Sequence, residues 1–547
     1  MRILLAAAAF LATPSLATPP VPPPPTPAAP SPKLLLVISV DQLSSDLFEA
    51  YRQHFTGGLA RMQLGTTFLN GYQSHAATET CPGHATLLTG ERPSRNGIVA
   101  NTWIAQAAAR EDKTIYCAED ERAPGSTSRA YTVSAEHLRA TTLGERVKAL
   151  TPASRNMAVA GKDRAAVMMT GRNADQRWFW NGQRFATDRK QTAVPQSVAM
   201  LNTALERRLA QPSAPLQPPP LCQAKAKPYA LTPQLTVGAG QLARAAGDKN
   251  AFKSHPDFDG AVLALSAGLV QEFALGRGSA TDILSIGLSA TDYVGHAFGT
   301  GGSEMCLQLM ALDRELGDFF GVLDRTGIDY MVALTADHGA MDIPERLRDA
   351  GNSAAQRADA ALLTANVSKT IAAQLSLRGT VLRGPGAAGD VWLDAGLSPR
   401  DRARVSQATV AYYRAHPQVA AVFTRGELAQ APEPSGHVRN WDLRSRVRAS
   451  FDPTRSGDLV VVLKEFVAPI PEPAAGYVAG HGTPWDYDRR VPILFWHRGV
   501  KAAVSAEAVE TIDIMPTLAG ILGVPTAASA PTGRCLLQVE GVTCPPR

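Results

Sequence analysis

Apolar positions run from Leu34 to Val40, interrupted only by Ser39, and the run stops at Asp41. A continuous apolar stretch without alternation predicts a strand buried on both faces of a parallel sheet. The pattern returns at Asp282 to Leu288, ahead of Asp292, and at Tyr330 to Leu334, ahead of Asp337; Val491 to Trp496 follows His481. Helix-like segments lie between these runs. The alternation predicts an α/β fold, an open and mostly parallel sheet flanked by helices, with ligands bound beyond the carboxyl ends of its strands. Two stretches break the rhythm. Residues at about 183–265 include the proline-rich Gln211 to Pro220, and those at about 345–478 carry Val391 to Leu393, Asp401 to Arg414 and Val419 to Phe423, a small strand-helix-strand pattern. Both are expected to be cap segments inserted over the sheet. Trp178-Phe179-Trp180 is expected to pack in the core instead of lining a site mouth.

The first residues follow a different logic. Arg2, the apolar Ile3 to Ala12 and the small residues of Ser15-Leu16-Ala17 read as a signal peptide, residues 1–17, cleaved after Ala17. The apolar run is far shorter than the roughly 20 residues that span a bilayer, and no later stretch is long and apolar enough either. Residues 18–32 are dominated by proline and read as an extended linker. The remainder, 33–547, reads as one catalytic domain with the two insertions, delivered to the periplasm or secreted. Six cysteines, Cys81, Cys117, Cys222, Cys306, Cys535 and Cys544, suit disulfides in that compartment, and Cys535 with Cys544 is the expected tail clasp. The formal charge of +5 comes from 54 basic and 49 acidic residues without long basic blocks, which argues against nucleic-acid binding.

Candidate chemistry gathers at the predicted strand ends. Asp41 ends the first strand. In Thr291-Asp292-Tyr293-Val294-Gly295-His296, a carboxylate and an imidazole four apart share one face of a helix. Asp337-His338-Gly339 follows another strand, where Gly339 gives a turn its backbone freedom. His481 lies between Gly480 and Gly482. Each motif alone is weak; their common placement is informative. Three carboxylates and three imidazoles suit zinc, and six ligands suffice for two sites that each keep an open position. Such a pair, roughly 4 Å apart, activates a hydroxyl and stabilises a leaving oxygen. In Thr78-Glu79-Thr80-Cys81-Pro82-Gly83-His84, running on to Gly90, Pro82 suits a first helical turn and Gly90 its end. Thr80 then sits at a helix N-terminus, which favours a bound anion.

The ordered set Asp41, Thr80-x-Pro-x-His84, Asp292-x-x-x-His296, Asp337-His338 and His481 resembles the alkaline phosphatase superfamily. So do Arg490-Val491-Pro492-Ile493-Leu494 and Thr511 to Leu518. The resemblance implies one metal on Asp292, His296 and His481, the other on Asp41, Asp337 and His338, with Thr80 as the nucleophile and a metal ligand between them. Sulfatases need a cysteine or serine at the Thr80 position, so sulfate-ester hydrolysis is not expected. Lys162 and Arg164, two apart in a stretch that points them to one side if extended, supply cations suited to a monoester dianion. The likeness is to the phosphate-irrepressible, single-subunit alkaline phosphatases and implies that Lys162, Arg164 and Asn101 contact phosphate. Between Asp282 and Asp292 no carboxylate is present for a third metal, so magnesium is not expected. The expected activity is that of a monomeric two-zinc alkaline phosphatase acting on small phosphate monoesters of broad range through a phosphothreonine. The alternative is a nucleotide pyrophosphatase or phosphodiesterase with the same metals; a third is a non-catalytic binding protein.

Overall fold

The computed structural model describes residues 31–189, 193–526 and 531–544. The expected signal peptide, 1–17, and the expected linker up to residue 30 lie outside the described residues. Leu34–Val40 forms the centre of a ten-stranded sheet, paired in parallel with Asp282–Leu288 on one side and Tyr330–Thr335 on the other. Asn156–Ala160 and Gln176–Trp180 continue the parallel run beyond Asp282–Leu288, and Phe185–Ala186 closes that edge antiparallel. Beyond Tyr330–Thr335, Arg490–His497 pairs antiparallel and is followed by Thr66–Tyr72, which carries Ala503–Ser505 and Val509–Glu510 in parallel. The sheet is therefore mixed, with its parallel part around the central strand.

The uninterrupted apolar runs have a direct cause. Leu34, Leu36, Ile38 and Val40 pack into one core with the helices Asp257–Glu272 and Ser303–Thr326. Leu35 and Val37 point the other way, into a core shared with Thr80–Thr89, Asp163–Thr170 and Ile514–Leu522. Both faces are covered, so both alternating sets must be apolar. Trp178 and Trp180 are buried, and Trp180 meets Phe185, Phe252 and Phe258 edge to face.

Residues 345–478 contain a second, antiparallel sheet in the order Leu382–Arg383, Gly389–Leu393, Leu459–Leu463, Val419–Thr424. The helices Thr364–Gln374 and Pro399–Ala415 share its separate core. Residues 183–265 are more dispersed: they supply the last sheet strand, the helix Gln196–Leu209, the hairpin Tyr229–Thr232 with Leu235–Val237, and the first half of Asp257–Glu272. Three disulfides join Cys81 to Cys117, Cys222 to Cys306 and Cys535 to Cys544. No helix among the described residues is long and apolar enough to cross a membrane.

Candidate active site

The central register places Val40 beside Leu288 and Ser39 beside Thr335, so the three strands end together. Asp41 follows the first, Asp337 the third, and the second leads into the helix Ala290–Phe298 that carries Asp292 and His296. Asp259 fixes the start of that helix by accepting the Ser289 and Ala290 N–H groups at 2.8 and 2.9 Å. His481 arrives from the loop ahead of Arg490–His497. Two groups of donor atoms each lie within 4.8 Å of one another: Asp41, Asp337 and His338, and Asp292, His338 and His481. His296 Nε2 stands 3.3 Å from Asp292 Oδ1, and His481 Nε2 stands 3.4 Å from the same oxygen. The closest grouping around Asp292 thus takes in His338, whose ring stacks on His481 at 3.6 Å between centroids.

Backbone carbonyls orient all three rings. His296 Nδ1 bonds Ala479 O at 2.7 Å, His338 Nδ1 bonds Gly339 O at 3.0 Å and His481 Nδ1 bonds Thr78 O at 2.7 Å. A carbonyl only accepts, so each Nδ1 carries a proton, and in the neutral ring the lone pair then sits on Nε2. His338 Nε2 then faces Asp41 Oδ1 at 3.4 Å and Asp337 Oδ2 at 3.3 Å, and neither it nor that Asp41 oxygen has a hydrogen-bond partner. Burial lowers the His338 pKa to about 3, against the pull of Asp337. A neutral imidazole lone pair aimed at buried carboxylates is repulsive unless a cation lies among them, so these donors fit a divalent metal. The carboxylates are themselves held. Gln42, in the left-handed region at φ 69°, gives its N–H to Asp337 Oδ1 at 3.1 Å and its Nε2–H to Asp292 Oδ1 at 2.8 Å. His84 Nδ1 lies 2.9 Å from Thr80 O and 3.1 Å from Asp337 Oδ2.

Thr80 is the first residue of the helix Thr80–Thr89, which ends at Gly90 with φ 70°. Its preceding N-cap, Glu79, makes no side-chain cap; the Cys81 N–H goes to Asn101 Oδ1 at 2.8 Å and Pro82 has no N–H, which leaves the N–H of Thr80 itself for another acceptor. Lys162 Nζ and an Arg164 guanidinium nitrogen each stand 3.4 Å from Thr80 Oγ1. Lys162 also lies 2.5 Å from Asp41 Oδ2 and 2.6 Å from Asp292 Oδ2. Burial alone would lower its pKa, but those carboxylates outweigh it and hold the ammonium above its ordinary value. Asp41 is pushed up by burial and by Asp337. For Asp292 burial acts the same way but is overcome by His296 and Lys162. Glu79, Thr80, Asn101, Arg164, His296 and His481 line a cavity of about 590 Å³, together with Asp390, Trp392 and Tyr477.

All ten residues expected from sequence therefore converge, with differences of detail. Lys162 is extended, at φ −128° and ψ 139°, but as the N-cap of the helix Asp163–Thr170; Arg164 lies in its first turn, and the pair reaches Thr80 from a strand-to-helix corner. Gly339 serves by its size and not by a positive φ, because a Cβ there would lie 2.2 Å from Tyr487 O. Sequence reasoning overlooked Gln42, the three carbonyl partners and the Asp163 carboxylate, which accepts Tyr116 and Tyr131 hydroxyls at 2.8 and 2.7 Å beside Arg164. Their only local sign is a polar residue next to a recognised one.

Paired carboxylate-imidazole centres at the strand ends of an α/β sheet, with a hydroxyl at a helix N-terminus among cations, define a metal-centred ester hydrolase. A family model described as "Type I phosphodiesterase / nucleotide pyrophosphatase" matches residues 35–472. The chain is 51% identical over 512 residues to alkaline phosphatase PhoK of a Sphingomonas species, covering 93% of this chain and 91% of that protein. To alkaline phosphatase PhoD of Zymomonas mobilis it is 43% identical over 519 residues, covering 94% and 89%. The crystal structure of alkaline phosphatase PafA superposes with a TM-score of 0.80 at 23% identity, over 94% of this chain and 99% of the other, a likeness of fold. The chain belongs to the alkaline phosphatase superfamily and is a phosphoric ester hydrolase of the same family as these enzymes.

Proposed function

We propose that the protein is a two-zinc alkaline phosphatase that hydrolyses small phosphate monoesters of broad range through a phosphothreonine at Thr80. The observation that carries this reading is Lys162, whose ammonium touches Thr80 Oγ1 and both Asp41 and Asp292, with Arg164 at the same 3.4 Å from the hydroxyl. Asp41, Asp337 and His338 would hold one zinc and Asp292, His296 and His481 the other, supplying Lewis acidity that acidifies the Thr80 hydroxyl and stabilises the departing oxygen. The chain's own groups do the rest. Lys162, Arg164 and the Asn101 amide bind the non-bridging oxygens of a dianion, and the positive end of the Thr80–Thr89 helix faces the same charge. Thr80 Oγ gives up its proton to solvent and forms a bond to phosphorus as the ester P–O bond breaks in line, and the departing oxygen takes up a proton from water. Water then cleaves the phosphothreonine, releasing phosphate and restoring the hydroxyl. The relatives named alkaline phosphatases support this choice.

Acid-quenched turnover followed by peptide mass spectrometry is expected to find phosphate on Thr80, and Thr80→Ala to abolish turnover. Full activity in that variant without phosphopeptide would end the proposal. Chelation should remove activity and zinc should restore it. The family description keeps a phosphodiesterase reading in play. A monoester and a diester with one common leaving group separate the two: kcat/KM should favour the monoester, and replacing both Lys162 and Arg164 should erase that preference. Export of a monomer with three disulfides completes the proposal, and N-terminal sequencing of the mature protein should begin at Thr18.

A further inference from the structure

Asn101 is held by three bonds that leave one group over. Its backbone N–H donates to Glu79 Oε2 at 2.6 Å, its side-chain Oδ1 accepts the Cys81 N–H at 2.8 Å, and its carbonyl accepts the Cys117 N–H at 2.9 Å. A backbone N–H requires an acceptor, so the oxygen of the amide faces Cys81 and the Nδ2 protons face away from it. Asn101 lines the cavity that Thr80 also lines. Cys81 and Cys117, which supply two of these bonds, are joined by a disulfide. The clamp is therefore closed covalently on one side and by the Glu79 carboxylate on the other.

Glu79 stands where a helix N-cap side chain would accept its own helix's N–H groups, and it does not do so. Glutamate is outside the residues favoured at that position, and a carboxylate folded back there would occupy the anion site at Thr80. Its Oε2 reaches Asn101, 22 residues away along the chain. The other side of Glu79 rests near Gly482, where a Cβ would lie 3.6 Å from Glu79 Cγ. The residue before Glu79 gives its carbonyl to His481. One short segment, Thr78 to Cys81, thus carries the hydroxyl and sets the pose of both a candidate metal ligand and a candidate phosphate donor.

We propose that Glu79 is a positioning residue for Asn101: its carboxylate pins the Asn101 backbone, and the Cys81 N–H turns the side-chain amide so that Nδ2 donates to a non-bridging oxygen of the bound phosphoryl group. This rests on the reading of Asn101 as a phosphate contact. The test is a double-mutant cycle on the zinc-loaded full chain with Glu79→Ala, Asn101→Ala, the double variant and Glu79→Gln. It reads kcat/KM for 4-nitrophenyl phosphate, the Kd of inorganic phosphate by calorimetry, and Tm. Each single alanine variant should lower kcat/KM and weaken inorganic phosphate about tenfold or more, the range for a hydrogen bond to a charged group. The double variant should be no worse than the worse single one, and Glu79→Gln, whose amide oxygen still accepts the Asn101 N–H, should recover most of the loss. Multiplying losses in the double variant, or wild-type behaviour of Glu79→Ala beside an impaired Asn101→Ala, would overturn the positioning role alone. Wild-type behaviour of Asn101→Ala in both readouts would overturn the phosphate contact and the positioning role together. Should Glu79→Ala fail to fold, as Tm would show, Glu79→Met takes its place in the same cycle.

Discussion

Gln42 gives its backbone N–H to one candidate metal-site carboxylate, Asp337, and its side-chain N–H to another, Asp292, and Gly295 is the residue that makes room for it. A Cβ at Gly295 would lie 1.6 Å from Gln42 Oε1, so Gly295→Ala must displace that side chain and release Asp292. Loss of an outer partner of this kind weakens metal binding roughly 10–100-fold. Zinc competition titrations should show that drop in Gly295→Ala, with kcat/KM falling alongside; unchanged zinc affinity would mean that Gln42 does not set the carboxylate. The three Nδ1 bonds to Ala479, Gly339 and Thr78 act in the same way on the imidazoles. At this scale the sequence announces residue types and strand ends, because strand burial and helix signals are local. It is silent on the partners, since the His481 ring and the Thr78 carbonyl are 403 residues apart.

Among elements, the short helix Gly58–Met62 depends on a residue from another helix. Asp313, on Ser303–Thr326, accepts the N–H groups of Thr56 and Gly57 at 2.7 Å each, Leu59 at 2.8 Å and Ala60 at 3.3 Å. It does for that helix what an N-cap side chain does. Asp313→Ala leaves those donors unpaired and should cost roughly 2–4 kcal/mol in urea unfolding. Two residues on, burial and then Asp259 push the Glu315 carboxyl up to about 9, against Arg314, and its Oε2 has no hydrogen-bond partner. Its folded pKa is above its unfolded one, so the folded state holds the proton more tightly. Its stabilising contribution is complete below about pH 4.5 and is lost as pH rises towards 9. Glu315→Gln, neutral throughout, should flatten the fall in unfolding free energy across that window; parallel curves for the two proteins would contradict this. Hydrophobic pattern made the buried strands legible, and Pro82 with Gly90 marked the helix that Thr80 opens. It did not distinguish Asp257–Glu272, whose residues follow a proline-rich stretch, as a helix packed on the central sheet.

For the whole molecule, Cys222–Cys306 ties residues of the 183–265 stretch to the start of the long helix Ser303–Thr326, across 84 positions. Replacing both cysteines with alanine should lower stability by about 2–4 kcal/mol, read as a fall in Tm, while turnover well below the transition stays unchanged because neither residue lines the cavity. An equal Tm would place the anchoring elsewhere. The second sheet matters at this scale too, since Asp390 and Trp392 from its Gly389–Leu393 strand line the cavity that Thr80 also lines.

By itself the sequence determined that buried strands end in aspartates and that a threonine opens a helix, because such features depend on residues near one another in the chain. It also determined the superfamily, through the order of motifs along the whole length. Tertiary structure decided how those motifs meet: His338 stands between two groups of donors, Lys162 bridges Asp41 and Asp292 beneath Thr80, and Glu79 clamps Asn101. Those contacts join segments that periodicity treats as independent, and only the register of the packed sheet brings them within hydrogen-bonding distance.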